Sequence, residues 1–143
     1  MPEDVMKRLE QLSEPGAILD PDLMARILDI LPDAVVVIDE RGIVRFVNQA
    51  TELLFGYPRQ NLLGEPLEML LPESFRERHI EHRRRFFHEP RTRPMGVGIG
   101  RPLTGLNRNG TEMTLEINLS PIVTGHGVYA VAVVRRRQDH ATT

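Results

Sequence analysis

Apolar residues spaced three and four positions apart are the first regularity along the chain. Val5, Leu9 and Leu12 recur at i, i+4 and i+7 with Met6 beside them, which predicts an amphipathic helix over residues 4–13, ended by Pro15 and Gly16. A second helix is predicted from Asp20, whose carboxylate can cap free backbone N–H groups while Pro21 suits the first helical position; Leu23, Ile27 and Ile30 form its stripe. The pattern then changes. A β-branched run over 34–38 stops at Asp39-Glu40-Arg41-Gly42 and resumes over 43–47, which predicts a hairpin with a tight turn. Residues 49–71 are punctuated by Gly56, Pro58, Gly64 and Pro66, with Pro72 after them, and predict brief helices. Residues 74–88 hold neither Pro nor Gly and predict one longer helix.

Strand patterns fill the rest. Met113, Leu115, Ile117 and Leu119 alternate with Glu112, Thr114, Glu116 and Asn118, so one face is buried and the other wet. Asn109-Gly110 just before this strand signals a two-residue type I′ turn, which carries the preceding strand back through Leu103 to about Val97. Pro102 in that strand has no N–H to donate and places it at a sheet edge. A last strand over 128–135 follows the Gly125-His126-Gly127 turn. Strands and helices so segregated predict an α+β fold, an antiparallel sheet with helices on one face.

At 143 residues the chain suits one domain. A net charge of -2 gives no reason to expect nucleic acid or an acidic membrane as partner. There is no cysteine, which removes disulfides, thiolate metal ligands, a thiol nucleophile and cysteine photochemistry. No apolar run approaches the ~20 residues of a membrane span, and Glu3 and Asp4 stand where a secretory signal would be basic, so the expected location is cytoplasmic. Ser74 and His79 are scattered candidates without a nucleophile elbow or phosphate loop, and the expected role is non-catalytic.

Candidate chemistry gathers on the longer helix. Phe75, His79, His82 and Phe86 follow one another at spacings of four, three and four, a single stripe predicted to face the sheet. Val97, Ile99, Arg101 and Leu103 share a face by period two, and with Leu115 and Ile117 they complete a predicted ligand pocket. Arg101 among such neighbours needs an anion, which a ligand could supply. His79 and His82 at i and i+3 could share a metal, but no third ligand follows. Arg83-Arg84-Arg85, with Glu77 and Glu81 a turn earlier, predicts a solvated, salt-bridged helix face.

Several short motifs in this order resemble the PAS family: Leu31-Pro32-Asp33, Asp39 to Gly42, Val47-Asn48-Gln49-Ala50, Leu54-Phe55-Gly56-Tyr57, Leu63-Gly64 and Asn109-Gly110-Thr111-Glu112. The resemblance implies a five-stranded antiparallel sheet in the order 2-1-5-4-3 around a pocket closed by helices. It also implies a sensory module that binds a small ligand or a partner and signals through the geometry of a homodimer. Val5, Leu9 and Leu12 would form the dimer contact, and a kinase of a two-component system, a cyclase or a transcription regulator would lie downstream. The domain is then expected over 21–137, after a helical extension at 1–20 and before a disordered tail at 138–143.

A sharper resemblance lies in Gly98-Ile99-Gly100-Arg101, Leu103-Thr104-Gly105 and Asn109-Gly110-Thr111, which are similar to haem-binding PAS domains of rhizobial oxygen-sensor kinases. It implies His79 as the axial ligand, Arg101 for a propionate or bound oxygen, and Ile99 on the distal side. His82 and Phe86 stand where those proteins carry tyrosine, and the loop 91–96 is similar to members without haem. A light-sensing flavin of the light-oxygen-voltage type needs the absent cysteine. The cofactor stays open among a small organic ligand, haem, and none, the last being a pure protein-interaction module. After Val133-Val134 comes Arg135-Arg136-Arg137 in place of the Asp-hydrophobic-Thr exit common in this family.

Overall fold

Every described strand joins one antiparallel sheet, and the order follows from where the turns fall. The computed structural model describes residues 20–89, 93–95 and 103–137. Along it run α1 (Pro21–Asp29), β1 (Ala34–Ile38), β2 (Val44–Val47), α2 (Gln49–Phe55) and α3 (Arg59–Leu62). Two 3₁₀ turns (Leu67–Leu70 and Glu73–Phe75) lead into α4 (Arg76–His88), and β3 (Arg93–Met95), β4 (Leu103–Leu106), β5 (Glu112–Thr124) and β6 (Gly127–Arg136) complete it. The sheet runs β2-β1-β6-β5, with β3 and β4 both on the far flank of β5. Counting those two as one interrupted edge gives the predicted order. They differ in register: Met95 lies opposite Ile117, whereas Leu103 lies opposite Leu115. The expected helix over 4–13, the tail at 138–143, and Val97, Ile99, Arg101 and Pro102 lie outside the described residues.

Register fixes which side chains share the inner face. Ala34, Val36 and Ile38 of β1 lie opposite Val134, Ala132 and Ala130 of β6, and Val134 and Ala132 lie opposite Ile117 and Leu119 of β5. The core gathers here, with Val36, Val44, Val47, Leu62 and Met113 at 2% exposure or less. On β4 Gly105 is needed for closeness, because a Cβ there would stand 2.6 Å from Leu115 Cδ1 and 3.2 Å from the Phe55 ring.

Asn48 joins four segments. It caps α2, its side-chain oxygen accepting from Thr51 N at 3.2 Å and from Thr51 Oγ1 at 2.9 Å. The same oxygen accepts from Val35 N at 2.8 Å, while the amide nitrogen donates to Leu28 O at 2.8 Å and Asp33 O at 3.0 Å. All of this is buried, with Asn48 and Thr51 at 0% exposure. Arg135 at the end of β6 closes the same corner through Asp33, at 3.0 Å.

Two of the hairpin turns are built alike, and one corrects the expectation. Asp39 Oδ1 accepts from Arg41 N and Ile43 N, and Gly42 follows at φ +80°. Asn107 Oδ1 accepts from Asn109 N and Thr111 N, and Gly110 follows at φ +83°. Among the described residues only glycines have positive φ, so Asn109-Gly110 is not a two-residue type I′ turn. It belongs to a longer loop in which Asn107 organises the backbone and Gly110 alone takes the left-handed conformation.

Three other outcomes differ from the sequence pattern. Pro72 starts a 3₁₀ turn, so the α-helix begins at Arg76. β5 continues beyond Leu119 to Thr124; β3 ends opposite Leu119, so Pro121 costs no described ladder bond on that flank. α1 is capped as expected, Asp20 Oδ1 accepting from Leu23 N at 2.7 Å, yet no residue of α1 is buried and Ile30 is 80% exposed.

Asn48→Ala leaves the Val35 N–H, the Leu28 carbonyl and the Asp33 carbonyl without that partner, at about 1–3 kcal/mol for each buried group left unsatisfied. Urea denaturation is expected to show a loss of about 3 kcal/mol or more at unchanged m-value, and a smaller loss for Thr51→Ala, which removes one hydroxyl lying between Val35 O and Asn48 Oδ1. Equal midpoints for Asn48→Ala and the parent would contradict the role of this node.

Candidate functional site

The longer helix is poor in apolar residues, so its attachment to the sheet needs an explanation. Of α4 only Phe86 is buried, packed edge-on to Phe87 with ring centroids 5.4 Å apart. The middle of the helix is fastened by charge. Glu68, from the first 3₁₀ turn, has its carboxylate 2.7 Å from His79 Nδ1, and Arg83 donates to both carboxylate oxygens, at 3.3 and 3.4 Å. The Glu68 and Arg83 side chains are 8% and 10% exposed. This corrects the reading of 83–85 as a uniformly solvated face. Arg85 fits that reading, 73% exposed and 3.8 Å from Glu81, whereas Arg83 turns inward.

Arg83 lies across the β1–β2 turn, where it also donates to Glu40 O at 3.4 Å. A Cβ on Gly42 would overlap the guanidinium. Gly42 thus serves both the turn and the passage of Arg83. Burial alone would raise the Glu68 pKa, but hydrogen bonds from His79 and Arg83 and the charge of Arg83 outweigh it, and the carboxyl lies below its usual value of 4.5. An ionised carboxylate only accepts, so His79 Nδ1 carries the proton and Nε2 remains for another bond.

With α4 fixed in this way, a cavity of about 330 Å³ lies between it and the sheet. Val36, Ile38, Ala130, Ala132 and Leu119 form its floor. Leu67, Phe86 and Phe87 close it, and the remaining lining comes from His79, His82, Arg83 and Arg85. The alanines make the room, since β6 carries valine at 131 and 133 on the opposite face. A smaller space of about 130 Å³ adjoins it, lined by Phe75, Leu71, Arg78, Leu103 and Thr104, and shares His79 and His82 with the larger one.

The stripe picked out in the sequence divides between these spaces. Phe86 is buried, the His79 side chain is 28% exposed, His82 lines both spaces from an exposed position, and Phe75 is 42% exposed. Phase explains the difference, because Phe75 sits in a 3₁₀ turn and not on α4. From β5 the larger cavity takes Leu119, two and four positions beyond Ile117 and Leu115; Leu115 is buried against Gly105. Leu103 lines the smaller space, and Val97, Ile99 and Arg101 lie outside the described residues. Sequence reasoning missed Glu68, Ala130 and Ala132. The alternation of valine and alanine at the end of the chain was the available sign of the last two.

A group whose folded-state pKa is lowered adds stability above its ordinary pKa and loses it as pH falls through the folded-state value. Glu68 therefore stabilises the fold fully above about 4.5 and ceases to do so below. Glu68→Gln leaves Arg83 buried without its counter-charge and is expected to cost about 2–3 kcal/mol at pH 7, with the gap to the parent closing as the pH falls below 4.5. Denaturation midpoints from pH 7 to pH 3 check this; a gap independent of pH would assign the loss to packing.

Known proteins share this fold. A family profile described as the PAS fold matches residues 22–137. The chain is 33% identical over 117 residues to Sensor protein FixL of Bradyrhizobium diazoefficiens, covering 82% of this chain and 23% of that protein. It is 32% identical over 100 residues to Oxygen sensor protein DosP of Escherichia coli, covering 70% and 12%. The chain thus spans less than a quarter of the length of either relative. The PAS domain of an HTR-like protein from Haloarcula marismortui superposes with a TM-score of 0.68 at 20% identity, over 95% of this chain and all of the other. The PAS domain of a two-component sensor histidine kinase gives 0.65 at 16% identity, over 81% and 95%. These two share the fold. With the profile spanning most of the chain and two relatives above 30% identity, this chain belongs to the PAS family.

Proposed function

We propose that the domain is the signal-input module of a larger cytoplasmic signalling protein, that it catalyses no reaction itself, and that it responds to a small organic ligand held between α4 and the sheet. The cavity under α4 is the observation that carries this reading. A ligand there touches His79 and Arg83, which hold the helix to Glu68, so occupancy acts on the attachment of α4 and, through Arg83, on the β1–β2 turn. The outer face of the sheet, with Val37, Val131, Val133 and Tyr129 partly exposed, receives the change. A homodimer contact made by that face and by Val5, Leu9 and Leu12 then passes it on. Met24, Ile27 and Leu31 at and beyond α1 are 42%, 38% and 40% exposed and offer further apolar surface to a second copy. The ligand shifts such a dimer by binding one of its two arrangements more tightly than the other.

Haem is the second reading, favoured by the relative FixL and by His79. A carboxylate holding Nδ1 orients a histidine for axial ligation through Nε2, so Glu68 and His79 fit that role. Haem would supply an iron at which a gas binds. Arg101 and Ile99 would complete this site. At about 330 Å³ the cavity is at the small end of the range for organic ligands, and a tetrapyrrole needs more room.

One spectrum separates the two readings. After expression with ample haem, the purified domain is expected to show no Soret band once free haem is removed. A band that shifts with dithionite and carbon monoxide, and is lost in His79→Ala, would overturn the small-ligand reading in favour of haem.

A further inference from the structure

Among the described residues the larger cavity is divided by polarity: its sheet side is apolar, and its polar lining comes from α4. Among the described lining residues the titratable ones are His79, His82, Arg83 and Arg85, and no carboxylate lines the space. The two arginines differ in availability. Arg83 is engaged by Glu68 and held over Gly42. Arg85 is 73% exposed and only 3.8 Å from a Glu81 that is itself 56% exposed, an i,i+4 surface pair of the kind that contributes little. Its guanidinium can leave that pair for a better acceptor at the cavity mouth, and a carboxylate is the acceptor whose geometry it matches.

From this we infer that the ligand is an amphipathic monoanion, a carboxylic acid whose apolar body lies on Ala130, Ala132 and Leu119 and whose carboxylate meets Arg85. The inference rests on the ligand-binding reading of the cavity and names the class of ligand. A cation would face arginine and histidine, and a neutral apolar molecule would leave the basic lining unused. Among the described lining residues one available arginine matches one negative charge. At ~30 Å³ for each water-sized group, the volume holds about eleven non-hydrogen atoms, the size of a medium-chain or single-ring acid.

Octanoate and 1-octanol share one chain and differ in charge, so calorimetric titration of the domain with each at pH 7 is the test. Octanoate is expected to bind at least tenfold more tightly than octanol. Arg85→Gln is expected to remove most of that difference and leave octanol unchanged, and Ala132→Phe, which fills the cavity, is expected to abolish both. Ala130→Leu serves the same purpose should Ala132→Phe fail to fold. Equal affinity for the two probes would overturn the monoanion while leaving the cavity as a ligand site. Octanoate binding that survives in the filled variant would place the carboxylate elsewhere and overturn the assignment. Failure of both probes to bind at millimolar concentration would overturn the assignment and the ligand-binding reading together.

Discussion

The attachment of α4 by a buried ionic cluster is the constraint on which the rest of the site depends. A helix on a sheet is ordinarily held by an apolar stripe, and the separation of the two is then set by side-chain packing. Here Phe86 is the one buried residue of the helix, and its middle is positioned by Glu68, His79 and Arg83. The middle of α4 is therefore placed by its bonds to one carboxylate in the 3₁₀ turn. Phe86 and Phe87 pack its C-terminal end against the core, and the space beneath the middle stays open. Charges this well shielded interact strongly but carry a desolvation cost, so the cluster contributes more to a defined geometry than to net stability.

The same cluster links the cavity to the rest of the fold. Glu68 is held in a turn before the helix, and Arg83 reaches back over Gly42 to the first hairpin, so α4, the 3₁₀ turn and the β1–β2 turn are joined through one cluster. Asn48 holds the opposite corner, where α1, β1 and α2 meet around a fully buried amide. That end is tied by the buried Asn48 amide, with the Arg135–Asp33 ion pair beside it, and none of these residues lines the cavity. The other is tied by charges that line the cavity itself. A domain built in this way can change at its α4 side while keeping its α2 side rigid.

Much of this was legible in the sequence where the determinants are local. The alternation from Met113 to Leu119, the capping of α1 by Asp20, and Gly42 and Gly110 in their turns were all visible. The turn at Asn109-Gly110 was misread because a glycine with positive φ serves two turn types, and Asn107 decides between them through its own backbone contacts. The ionic cluster was not legible. Glu68 sits in a 3₁₀ turn with no helical period to mark it as inward, and its partners lie eleven and fifteen residues away. Arg83 stands four residues after His79 and three before Phe86, on the inward stripe, but the run of three arginines concealed it. The cavity was half legible: the small side chains at 130 and 132 could be seen, but the helix that stands off from them could not.

Methyl NMR of the domain under xenon pressure tests most directly whether α4 stands off the sheet in solution, because xenon enters apolar cavities without needing charge or a specific shape. The account predicts saturable shifts of the methyl signals of Val36, Ile38, Leu67, Leu119, Ala130 and Ala132, with those of Leu62 and Met113 in the packed core unmoved. Xenon shifts absent from the first group would show that α4 collapses onto the sheet and would contradict the cavity on which the proposed function rests.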